Sequence, residues 1–134
     1  MSQENVEVIR RTYEAFNRGD VEAVLANYHP DCELYDPPEM PDAPDVYTGH
    51  DGVRRWIANV RSLGGDELHY QPKSFTASGE RVLVEVQGKA VGQGSGVPVE
   101  WTAHCVFTHR DTRIATARFF LDRAQAVEAA GLRD

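Results

Sequence analysis

Val99-Glu-Trp-Thr-Ala-His-Cys-Val-Phe107 alternates with a period of two. Trp101, Ala103, Cys105 and Phe107 fall on one side of an extended chain; Glu100, Thr102, His104 and Val106 fall on the other. The stretch is therefore a strand with one face to bury, and it sits within a run of such strands. Leu68 to Thr76, Arg81 to Val91, Val97 to Thr108 and Arg113 to Leu121 are all β-rich. Ser78-Gly79, Gly92 to Gly96 and Arg110-Asp111 supply the turns between them. The second half of the chain thus reads as an antiparallel meander. Gly92-Gln-Gly-Ser-Gly96 lies between two strands with no following Lys-Ser/Thr, so it is a turn and not a phosphate loop.

The first half has a different period. Val6, Ile9, Tyr13 and Phe16 recur at spacings of three and four and draw one apolar stripe on a helix from about Gln3 to Asn17. Gly19 can take the left-handed conformation that stops it, and Asp20 can cap a second helix carrying Val21, Val24, Leu25 and Tyr28. After Pro30, Asp31 to Asp36 alternates as a short strand with Cys32, Leu34 and Asp36 on one face. Pro37, Pro38, Pro41 and Pro44 then forbid regular structure. A third helix follows Gly49, with Val53, Trp56, Ile57 and Val60 on its stripe, and Gly64-Gly65 breaks it. A last short helix spans Arg123 to Ala130, with Asp122 and Gln125 at capping-box spacing and Gly131 as its stop. Helices first and strands after make an α+β layout, a curved, mostly antiparallel sheet with three helices over its concave face.

The 134 residues fit one domain, 1–134. A chain of this length buries about 68% of its unfolded surface, so a core forms without staples. Its 41% hydrophobic and 26% charged residues are those of a globular protein. A net charge of -7 opposes binding to nucleic acid or to an anionic membrane surface. No run approaches the roughly 18 apolar residues of a membrane span, and the polar N-terminus does not read as a signal peptide. Cys32 and Cys105 are accordingly expected as reduced thiols of a cytoplasmic protein. The five histidines show no ligand spacing, so neither metal nor cofactor is expected.

Four stretches carry a family resemblance. They are Tyr13-Glu-Ala-Phe-Asn-Arg-Gly-Asp20, Tyr28-His-Pro-Asp-Cys-Glu-Leu-Tyr-Asp-Pro37, Tyr47-Thr-Gly-His-Asp-Gly-Val53 and Phe120 to Leu132. Together they resemble the SnoaL-like branch of the nuclear transport factor two-like superfamily over nearly the whole chain. The resemblance implies a cone-shaped barrel and a homodimer through the outer sheet face, which would otherwise expose Val, Ala and Phe side chains. Its members include ketosteroid isomerases, polyketide cyclases, dehydratases, epoxide hydrolases and non-catalytic binding domains, so the fold leaves the reaction open. Carried over from the isomerases, the catalytic base falls at Asp36. The oxyanion-hole tyrosine falls at Thr12, with Tyr13 one residue away, and the protonated aspartate at Ala103, so both electrophilic donors are absent from their places. The cyclases' C-terminal aspartate corresponds to the region of Asp122, which also reads as a helix cap.

The residues then suggest a site. Asp36, beside Leu34 on its strand face, projects into an apolar pocket that should raise its pKa and suit it to moving a proton next to a carbonyl. The alternative is that Asp36 only starts the proline turn. Arg118 faces inward with Phe120 in one register and could pair with Asp36 or hold an acidic ligand by two parallel hydrogen bonds; in the other register Ala117 and Phe119 face in and Arg118 faces solvent. Trp101 and Cys105 line the pocket if the isomerase register holds, leaving His104 at a subunit interface; the reverse makes His104 an acid/base candidate. Tyr13, Phe16, Tyr28 and Trp56 complete the pocket from the helices, with Tyr13 and Trp56 offering polar tips. Tyr35 and Tyr47 flank the proline loop as a lid, and Arg54-Arg55 form a solvated face. The expected ligand is a small apolar or carbonyl-bearing molecule. The expected activity is cofactor-free isomerase, cyclase, dehydratase or hydrolase chemistry, with a non-catalytic carrier as the alternative.

Overall fold

The computed structural model describes residues 2–39, 46–91 and 96–132. Pro41, Pro44 and most of the Gly92–Gly96 turn lie outside them. Helix α1 (Ser2–Asn17) and helix α2 (Val21–Ala26) meet at Gly19, whose φ of 77° turns the chain. The Asp20 carboxylate caps α2 by accepting from the Ala23 amide at 3.1 Å. Strand β1 runs Tyr28–Tyr35, three residues earlier than the alternation predicted, so Tyr28 is a strand residue and not part of the helical stripe. Strand β2 (Tyr47–Thr48) leads directly into helix α3 (Gly49–Gly64). A 3-10 turn at Gly65–Glu67 then opens the long strands β3 (His69–Ser78), β4 (Arg81–Val91), β5 (Pro98–Arg110) and β6 (Arg113–Phe120), followed by helix α4 (Arg123–Ala130).

The six strands form one sheet in the order β2-β1-β6-β5-β4-β3. Pairing is antiparallel except between β1 and β6, which run parallel. The sheet does not close into a barrel: β2 and β3 are its two edges. One face meets α1, α2 and α3 through a core containing Ile9, Leu34, Val53, Val82, Val84 and Ile114, each fully buried. The other face carries a smaller core in which Leu83, Val106 and Phe120 are covered by Ala126, Val127 and Ala130 of α4. Asp122 caps that helix by accepting from the Ala124 amide at 2.9 Å, and Gly131 ends it at a φ of 74°.

Beyond α4 the outer face is polar. Glu85, Gln87, Lys89, Glu100 and Thr102 alternate with the buried positions of β4 and β5. Val, Ala and Phe side chains therefore do not dominate this face, and two copies meeting here would meet through charges and amides. His104 lies on the same side, paired in register with Phe120 and buried.

Two glycines set distances that matter for the site. A Cβ on Gly52 would sit 2.7 Å from the Tyr47 carbonyl carbon, so its absence lets the first turn of α3 lie against β2 and fixes Tyr47. A Cβ on Gly88 would sit 2.4 Å from a ring atom of Trp101. Tyr70, Gly88 and Trp101 are in register on neighbouring strands, and the indole occupies the space above the bare glycine.

Candidate functional site

Between the helices and the sheet lies a cavity of about 450 Å³. Asp36 and Pro37 line it from the end of β1, Tyr13 from α1, Trp56 and Val60 from α3. The sheet contributes Tyr70, Val86, Ala90, Trp101, Ala103, Cys105 and Phe119. Val99 and Leu121, both about half exposed, are also in its lining. Within the walls Trp56 stacks on Phe119 with ring centroids 4.9 Å apart and planes 7° from parallel, and Tyr70 meets Trp101 edge-on at 6.0 Å.

Asp36 is half-buried and hydrogen-bonded by Tyr47, which its place beside the proline loop marks as a lid residue. Tyr47 is 1% exposed, and its hydroxyl donates to Asp36 Oδ2 at 2.9 Å. The Asn59 amide in turn donates to that hydroxyl at 3.0 Å. The chain Asn59 to Tyr47 to Asp36 holds the carboxylate at the end of β1. Burial, and the carboxylate that it serves, push the Tyr47 phenol up, against the opposing pull of Asn59 and Arg55.

Five of the expected site residues converge here: Asp36, Tyr13, Trp56, Trp101 and Cys105. Arg118 does not. It is exposed on the outer face, with its guanidinium 5.6 Å from the ring centroids of both Tyr35 and Phe120. The irregular register between Thr108 and His109 breaks the period of two, so Phe119 points to the cavity and Phe120 lies under α4. Phe16, Tyr28 and Leu34 are also absent from the lining. They are packed into the core, Phe16 between the rings of Trp56 and Tyr70. Thr12 turns its hydroxyl back to the Val8 carbonyl at 2.7 Å, while Ala103 lines the cavity as a bare wall. Among the described residues no three His, Cys, Asp or Glu side chains come together as a metal cluster, and no helix is long and apolar enough to cross a membrane.

The residue missed by sequence reading is Tyr70. It lines the cavity from β3, and burial followed by the Asp36 and Cys105 charges pushes its phenol up to about 12. Tyr13 is pushed well above the ordinary value by burial and then by Cys105, Tyr28 and Tyr70. Neither the Tyr13 nor the Tyr70 hydroxyl has a hydrogen-bond partner among the described residues. Burial likewise holds the Cys105 thiol protonated, well above its usual range.

The phenol shifts carry a pH dependence. An unfolded tyrosine ionises near 10, so between that value and about 12 the unfolded chain sheds the proton that folded Tyr70 retains. The share of stability that Tyr70 contributes is therefore full below about pH 10 and falls as pH rises towards 12. Denaturant unfolding followed across this range should show that fall. Tyr70→Phe should make the fall shallower, the raised Tyr13 phenol and Cys105 thiol keeping the rest, and a Tyr70→Phe slope equal to the parent's would place the proton release elsewhere.

The family model described as SnoaL-like domain matches residues 9–117. A crystal structure of TerC co-crystallised with polyporic acid is 25% identical, with a TM-score of 0.79 over 96% of this chain and 98% of that one. An NTF2-like protein of unknown function from Burkholderia pseudomallei is 27% identical, with a TM-score of 0.79 over 95% of this chain and 97% of that one. SalBIII, described as an epoxide hydrolase/cyclase-like enzyme in pyran ring formation in the polyether salinomycin, is 21% identical. Its TM-score of 0.75, over 91% of this chain and 93% of that one, speaks to the fold alone. No match was found among curated proteins.

Proposed function

The chain belongs to the SnoaL-like domain family, and on that premise we propose that its cavity is the substrate site of a cofactor-free proton-transfer enzyme. The observation that carries the reading is one anchored carboxylate lining the same apolar hollow as two unengaged phenols. Asp36 takes a proton from a carbon next to a carbonyl of a mainly apolar ring compound. The C–H electron pair moves into the ring system and the carbonyl oxygen becomes an enolate. The Tyr13 and Tyr70 hydroxyls, protonated at neutral pH, donate to that oxygen as charge develops on it. Where a double bond of the ring is conjugated with the enolate, Asp36 returns the proton to the far carbon and the double bond shifts, an isomerisation; where a hydroxyl stands on the carbon beyond the enolate, it leaves as water with the proton from Asp36, a dehydration. TerC, which was co-crystallised with polyporic acid, lends support for a small organic ligand in this fold.

The test is solvent-deuterium exchange into a panel of cyclic ketones, read by proton NMR. The parent should exchange the protons next to the carbonyl faster than buffer does. Tyr13→Phe and Tyr70→Phe should each slow exchange by about tenfold, the loss of one donor of two, with little change in thermal midpoint because each hydroxyl lacks a partner in the free protein. Exchange no faster than buffer across the panel would overturn the enzymatic reading. Arg118 on the outer face favours the second reading, a carrier without chemistry, and such a protein would bind the ketones and leave their protons in place.

A further inference from the structure

Among the described residues the cavity lining carries one formally charged side chain, and it is negative. Asp36 is the only Asp, Glu, Lys, Arg or His among the described lining residues. Around it stand the rings of Tyr13, Trp56, Tyr70, Trp101 and Phe119. The face of an aromatic ring is the negative part of its quadrupole, so it attracts a desolvated cation and repels an anion. No arginine of α3 or β6 is in the described lining. Arg55 is exposed with its guanidinium 5.7 Å from the Tyr47 ring, outside the lining, and Arg118 is on the other face of the sheet. An anionic ligand would leave water for a site with no counter-charge, which is costly. A cation would find a carboxylate with one oxygen not engaged by Tyr47, in a lining that holds five aromatic rings. The net charge of -7 also draws cations towards the protein from solution.

We propose that the cavity selects an organic cation, a ring compound bearing a protonated or quaternary nitrogen seated between Asp36 and the aromatic walls. The inference rests on the cavity being the ligand site and not on Asp36 acting as a base. Both tryptophans of the chain, Trp56 and Trp101, line the cavity, so their emission reports its occupancy.

The test titrates the protein with three probes of similar size: benzyltrimethylammonium, its uncharged carbon isostere neopentylbenzene, and the anion 3-phenylpropanoate. Benzyltrimethylammonium should bind about tenfold more tightly than neopentylbenzene, and 3-phenylpropanoate should bind most weakly. Asp36→Asn should narrow the gap between cation and isostere. Trp101→Leu, which keeps the carboxylate, should weaken the cation more than the isostere. Equal affinity for cation and isostere, or a preference for the anion, would overturn the proposal while leaving proton transfer by Asp36 untouched. Absence of binding by all three probes would overturn the proposal together with the cavity as ligand site.

Discussion

Asp36→Asn should lower the rate of deuterium exchange by about 10²- to 10⁴-fold, the usual contribution of a positioned acid or base. The size follows from the lack of a substitute. Tyr13, Tyr70 and Cys105 are the other titratable groups in the lining, and burial holds all three protonated at neutral pH. None can accept a proton there, so the step falls back on water. Asparagine keeps the shape of the carboxyl group and retains an oxygen that can accept from Tyr47, so the Asn59–Tyr47 chain survives. The measurement pairs exchange rates with thermal midpoints: a large loss of rate with an unchanged midpoint assigns the proton to Asp36. A variant as fast as the parent would remove Asp36 from the chemistry.

Gly88→Ala should displace the Trp101 indole and spoil the flat wall of the cavity. The new Cβ would stand 2.4, 2.5 and 2.8 Å from three indole atoms, distances that real carbon contacts do not sustain. The ring cannot yield by a small torsion, because Tyr70 packs edge-on against it. Overpacking of this kind costs about 1–3 kcal/mol. The denaturation midpoint should fall accordingly, tryptophan emission should shift as the indole leaves its seat, and ring ligands should lose about tenfold in affinity, equivalent to about 1.4 kcal/mol. In a Trp101→Ala background the same substitution should cost far less, since the three nearest atoms all belong to the indole. Equal costs in the two backgrounds would show that the indole is not what the glycine accommodates.

Much of the fold could be read from period alone. The stripe Ile9, Tyr13 and Phe16 and the alternation Trp101, Ala103 and Cys105 each bury the side that their spacing implies. Helix α4 begins and ends where Asp122 and Gly131 place it. Alternation fails where the strand is irregular. No local signal marks the slip between Thr108 and His109, and that slip decides whether Arg118 or Phe119 faces the cavity. Tyr47 and Tyr70 were hidden for another reason. Tyr47 belongs to a two-residue strand too short to show a period, and Tyr70 to a strand bulged between Pro72 and Ser74. Asp36 was legible because Cys32 and Leu34, both fully buried, set its side of the strand. The partner that holds it, eleven residues on and beyond the prolines, was not.

The parallel pairing of β1 with β6 has a consequence for how the polypeptide matures. Leu34 finds its neighbour at Ala117, so the segment that carries Asp36 gains that support only after almost the whole chain has been made. Until then the backbone groups on the edge away from β2 lie open to solvent and to other nascent chains. Closing so long a loop is slow. The hollow is thus among the last features to assemble during biosynthesis, and a ribosome stalled short of the final strand would release a product unable to make it.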